Sequence, residues 1–106
     1  MNTKISLGVI LLAVLPVSVC AAEVQVNQTN KKFDKDQLSV KVGDGVSFLN
    51  GDSVKHNLTV VTPDEESKDL GTEAPGGAVK YVMDKPGVYD VRCNIHPTMK
   101  MKIKVE

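Results

Sequence analysis

The stretch Leu38-Ser39-Val40-Lys41-Val42-Gly43-Asp44-Gly45-Val46-Ser47-Phe48 decides the fold class. Apolar residues occupy every second position on both sides of a Gly-Asp-Gly turn, so each flank offers one apolar face to a core and one polar face to water. That period is strand chemistry; an amphipathic helix would repeat its apolar residues every three or four positions. The same pattern continues outward. Val24 and Val26 alternate upstream, and Met99, Met101, Ile103 and Val105 alternate with Lys100, Lys102 and Lys104 at the other end. Between them, Val79 to Met83 and Val88 to Cys93 read as strands, and Leu58 to Val61 reads as a strand buried on both faces. Asn50-Gly51-Asp52-Ser53 and Asp84-Lys85-Pro86-Gly87 supply turns. Thr62 to Gly77 is polar and rich in Pro and Gly, which predicts an irregular excursion. Seven or so short strands without a helical period predict an all-β antiparallel sandwich or barrel.

With 106 residues the chain has room for one domain. Its 13 basic and 13 acidic residues balance, so no nucleic-acid partner is expected. Residues 1–22 stand apart from the strand pattern. Lys4 gives a positive start, Ile5 to Val19 is almost wholly apolar, and Cys20-Ala21-Ala22 is a small-residue exit. This is the layout of a secretory signal peptide cleaved after Ala21 or Ala22, which places the protein in the periplasm with no membrane association afterwards. Removing residues 1–22 leaves Cys93 as the only thiol. A lone thiol in an oxidising compartment calls for an explanation.

Cys93-Asn94-Ile95-His96-Pro97-Thr98-Met99 supplies one. A thiol, an imidazole and a thioether lie within seven residues, between the end of one strand and the start of the next. The only other histidine, His56, precedes the apolar strand Leu58 to Val61. Two imidazoles, a thiolate and a weak axial thioether make up the ligand set of a blue-copper electron-transfer site. Taken singly, each residue has an ordinary reading: a surface histidine, a buried cysteine acting as a small apolar side chain, a core methionine. Their joint occurrence is what points to a metal. Zinc suits Cys and His as well, but gains little from a thioether.

The Cys-x2-His-x2-Met loop, the pair His56-Asn57 and the run Pro86-Gly87-Val88-Tyr89 resemble the small blue-copper proteins of the cupredoxin family, of the amicyanin and plastocyanin kind. The resemblance spans Val24 to Val105 and implies a Greek-key cupredoxin domain over residues 23–106. It implies one type 1 copper alternating between Cu(I) and Cu(II), with His56, Cys93, His96 and Met99 as metal ligands. Asn57 would brace the two ligand loops, and His96 would be the ligand at the solvent edge. Met101 lies at the longer spacing used by plastocyanin; the parity and length of the chain ending favour Met99. Arg92 stands before the cysteine where plastocyanin has a tyrosine, so an electron route through that position is not carried over.

The expected function is a soluble periplasmic carrier of one electron between a protein donor and a protein acceptor. It is read as a monomer that docks transiently around His96, with Ile95 and Pro97 forming an apolar collar. It is not read as an enzyme, because both histidines serve as ligands. The Lys100, Lys102 and Lys104 stripe reads as a solvated face. Two alternatives make different predictions. A copper-trafficking protein would have an open site without intense colour, and a membrane-tethered electron-transfer subunit would keep its N-terminus.

Overall fold

A computed structural model describes residues 21–106; the expected signal peptide lies almost entirely outside the described residues. Among the described residues nine strands form two sheets. They are β1 Glu23–Thr29, β2 Lys32–Phe33, β3 Gln37–Val40, β4 Gly45–Asn50, β5 His56–Val61, β6 Ser67–Glu73, β7 Ala78–Val82, β8 Gly87–Cys93 and β9 Lys100–Val105. One sheet has the order β2-β1-β4-β7 and the other β3-β9-β8-β5-β6. No helix occurs among the described residues. The expected all-β sandwich is observed.

The alternation read from sequence for the last strand is an alternation of burial, and β8 and β5 alternate as well. In β9, Met101, Ile103 and Val105 are buried while the three lysines are exposed. In β8, Tyr89, Val91 and Cys93 point inward, and in β5, His56, Leu58 and Val60 do. These residues meet Val26, Val46 and Phe48 of the facing sheet to form one core. At the turn before β8 the Tyr89 hydroxyl donates to Lys85 O at 3.0 Å and accepts the Lys85 N–H at 3.1 Å. A buried tyrosine thereby fixes the Asp84–Gly87 corner at both of its hydrogen-bonding capacities. Gly87 has φ +129°, and a Cβ there would lie 2.7 Å from Pro63, so the corner requires glycine.

Four details depart from the sequence reading. The sheets are mixed, not wholly antiparallel: β1 runs parallel to β4, and β3 parallel to β9. The chain leaves each sheet and returns through the other, so strands can rejoin in the same direction. The polar excursion Thr62 to Gly77 contains β6, an edge strand with mostly exposed residues that pairs with β5. Thr59 and Val61 are half-buried, so β5 buries one face, not both. Val42, expected to continue the apolar parity of Leu38 and Val40, lies beyond the end of β3 and is exposed.

Candidate metal centre

The strands that build the core also place the donor atoms. Cys93 is the last inward position of β8 and His56 the first of β5, and antiparallel register sets Leu58 opposite Cys93. Both side chains therefore emerge at the same end of the sandwich on its interior face. His96 is brought to them by the loop from Cys93 to Met99. Cys93 N–H donates to Met99 O at 3.1 Å and Met99 N–H donates to His96 O at 2.9 Å, which closes the loop at its neck and tightens its inner turn.

The three donors converge. His56 Nδ1 and His96 Nδ1 are 3.2 Å apart, and Cys93 Sγ lies 3.7 Å from the first and 3.8 Å from the second. The centre of such a triangle is about 2.1 Å from every corner, within the range of about 2.0–2.3 Å at which imidazole nitrogen and thiolate sulfur hold a late first-row ion. The donor set fits a metal without rearrangement. His56 is fully buried and Cys93 nearly so, while His96 is partly exposed. Two donors are thus shielded from water and one reaches the surface. Beside it, Ile95 is 49% exposed, and Pro97 is exposed as well.

Met99 is buried at the end of the same loop. Met101 is buried two residues on, in register with Val91 inside the sandwich. The side chain of Asn57 does join the two ligand segments: its Oδ1 accepts from Asn94 Nδ2, and its backbone O accepts the Asn94 N–H at 2.8 Å. Asn94 Nδ2 also donates to Thr59 Oγ1 at 2.7 Å.

Asp52 was not singled out in the sequence, where it is one residue of a turn. In the structure its Oδ2 lies 2.9 Å from His56 Nε2. A ring with its proton on Nε2 donates a hydrogen bond to this carboxylate and keeps the Nδ1 lone pair free for a metal shared with the other two donors. The carboxylate is itself held by the backbone N–H groups of Asn30 at 2.7 Å and Lys31 at 2.8 Å. Those two residues form the β1–β2 turn with φ near +55°, a conformation side chains seldom adopt. Burial acts to raise the pKa of Asp52, but the Lys31 amide, His56 and the Asn30 amide outweigh it and hold the group below its ordinary value. The turn carrying Asp52 is fixed in turn by buried Asn50. Its Nδ2 donates to Val54 O and Glu73 O, and its Oδ1 accepts the Asp52 N–H. The spacing of Asp52 four residues before His56 was the only sequence signal for this brace.

A second buried polar pair lies behind the centre. Gln28 Nε2 donates to Glu73 Oε1 at 2.9 Å, and Glu73 stands opposite His56 in the β5–β6 ladder. Burial raises the pKa of Glu73, against the lowering effects of the Gln28 hydrogen bond and of His56.

Comparison with known proteins agrees with the geometry. Residues 20–106 match the family of copper-binding proteins of the plastocyanin/azurin type. The chain is 33% identical to methylamine utilization protein MauL of Methylorubrum extorquens, over 80% of this chain and 75% of that protein. It is 30% identical to amicyanin of Paracoccus denitrificans, over 83% of this chain and 69% of that protein. The solved structure of a Cu(I) amicyanin variant superposes with a TM-score of 0.73 at 27% identity, covering 84% of this chain and 87% of the other. The strand order, the three converging donors and these relatives together make the chain a member of the plastocyanin/azurin family of copper-binding proteins.

Proposed function

We propose that the protein is an exported carrier of single electrons, with copper held by His56 Nδ1, Cys93 Sγ, His96 Nδ1 and the Met99 thioether. The signal peptide is read within residues 1–22, with cleavage after Ala21 or Ala22, and residues 23–106 are read as the copper-binding domain, working in the periplasm. The observation that carries this reading is the His56–Cys93–His96 triangle, built from positions that separate strands deliver to one end of the sandwich. Bound there, copper supplies a one-electron couple between Cu(I) and Cu(II), with a potential that the axial ligand and the surroundings of the thiolate tune.

The chain's own residues do the rest. Cys93 and His56 bind from the dry interior, and Asp52 orients the His56 ring by accepting a hydrogen bond from its Nε2–H. Asn57 and Asn94 lock the two ligand segments together, which limits the movement available to the donors. Met99, anchored at the loop neck, supplies the weak fourth donor, whereas Met101 packs in the core. The accessible ring of His96, with Ile95 and Pro97 beside it, forms the contact through which protein donors and acceptors exchange electrons with a monomer. With both histidines of the chain serving as metal ligands, no imidazole would remain for acid–base chemistry, and the protein is read as a carrier and not as an enzyme.

Voltammetry of the copper-loaded protein tests this assignment. Met99→Gln is expected to keep the couple reversible and lower its potential, and Met101→Leu to leave the potential close to wild type. Equal effects of the two substitutions would contradict the assignment of the axial ligand.

A further inference from the structure

We propose that the leader is removed by hydrolysis of the Ala21–Ala22 bond, and that the new α-ammonium of Ala22 is seated on the Asp44 carboxylate. The inference rests on the export reading above and selects between two possible cleavage points. Ala22 N lies 3.1 Å from Asp44 Oδ1, and Ala22 O accepts the Gly45 N–H at 3.0 Å. Ala22 is therefore gripped at both backbone polar groups and extends the parallel β1–β4 ladder by one residue beyond Glu23. Cleavage after Ala22 would discard both contacts. Cleavage before it keeps both and turns the first into an ion pair.

The seat is shaped by its own turn. Asp44 Oδ2 accepts the Lys41 N–H at 2.8 Å, and Asp44 N–H donates to Lys41 O at 3.0 Å. These local bonds account for one carboxylate oxygen and leave the other directed at a nitrogen 22 positions away. A neutral acceptor would serve a backbone amide there; an ammonium gains a charge-assisted bond from a carboxylate, roughly twice as strong as a neutral one. Ala22 and Asp44 lie with Ala21, Val40, Val42 and Glu106 around an open cleft at the end of the sandwich remote from the metal centre. The charged terminus consequently stays clear of the copper ligands. Ahead of the bond, Ala21 is the small residue at its edge and Val19, two positions further back, is the other residue of the A-x-A-like pattern that a signal peptidase reads. In the hydrolysis the Ala21 carbonyl takes the oxygen of water, the C–N bond breaks, and the leader departs as a carboxylate. The two hydrogens of that water complete the Ala22 ammonium.

Intact-mass measurement of the protein exported from cells expressing the full chain tests the cleavage point, with a product beginning at Ala22 expected. An exported product beginning at Ala21, Glu23 or any other residue overturns the seat and leaves the export reading in place. A product still beginning at Met1 contradicts the export reading, and the seat falls with it. Urea unfolding of the mature protein, with and without selective acetylation of its α-amine, then tests the ion pair. Acetylation is expected to lower the midpoint in the wild type, less so in about 1 M salt where exposed charges are screened, and to leave Asp44→Asn unchanged. No shift in the wild type, or equal shifts in both proteins, overturns the pair.

Discussion

The two ends of the sandwich are made of different materials. At the end remote from the metal, Val40, Val46, Met83, Tyr89 and Val105 are buried with a single small polar side chain, Thr62, among the described residues, and the corner before β8 is closed by the Tyr89 hydroxyl and Gly87. At the metal end the buried side chains include Gln28, Asn50, His56 and Glu73. Burying such groups is costly unless each finds a partner, and a purely structural end would use apolar residues instead. The difference separates two tasks: the apolar end contributes stability, and the polar end holds donors in place. β5 and β8 connect them, because the inward parity of Val60 and Leu58 leads to His56, and that of Tyr89 and Val91 to Cys93.

Substitutions that disturb one end and spare the other test this division. The largest effect is expected from Cys93→Ser, which should abolish the charge-transfer colour of the copper protein while far-ultraviolet circular dichroism stays that of the wild type. Loss of the β signal along with the colour would mean that the thiol supports the fold itself. Next, Asp52→Ala should weaken copper binding by about 10- to 100-fold, the usual cost of losing the partner of a ligating histidine. Competition with a chelator measures it, and unchanged affinity would remove Asp52 from the site.

At the opposite end, Tyr89→Phe should lower the unfolding free energy by about 1–3 kcal/mol, since it strips both hydrogen bonds from the Lys85 backbone. Chemical denaturation reads this, and the copper spectrum should not move. A shifted spectrum would show that the two ends are not separable. The smallest effect concerns Glu73, whose raised pKa means that its contribution is full below the ordinary carboxylate range and is lost as pH climbs through the folded-state value. Glu73→Gln should therefore add stability of about 1 kcal/mol at neutral pH, because its amide can donate to the unpartnered Gln28 Oε1. The gain should shrink toward pH 4. A gain that grows on acidification would reverse the sign of this argument.

The sequence announced what depends on local pattern. Alternation along Met99 to Val105 marked the inward residues of β9, Val88 to Cys93 was legible as a strand, and the Cys93 to Met99 loop with His56 pointed to the three side chains, His56, Cys93 and His96, that converge in the fold. Strand direction was invisible, since alternation is the same whether a neighbour runs parallel or antiparallel. β6 was missed because an exposed edge strand such as Ser67–Glu73 buries little and so has no apolar period to show. Asp52 escaped notice because its role depends on a turn 22 residues upstream and on the ring of His56, which only the folded chain brings together.

The central claim is that two imidazoles, a thiolate and a thioether from separate stretches share one copper ion. The optical and EPR spectra of the mature protein loaded with Cu(II) test it most directly. An intense blue thiolate-to-copper band with an unusually narrow copper hyperfine splitting is predicted. A pale protein with the wide splitting of ordinary tetragonal Cu(II) would contradict it.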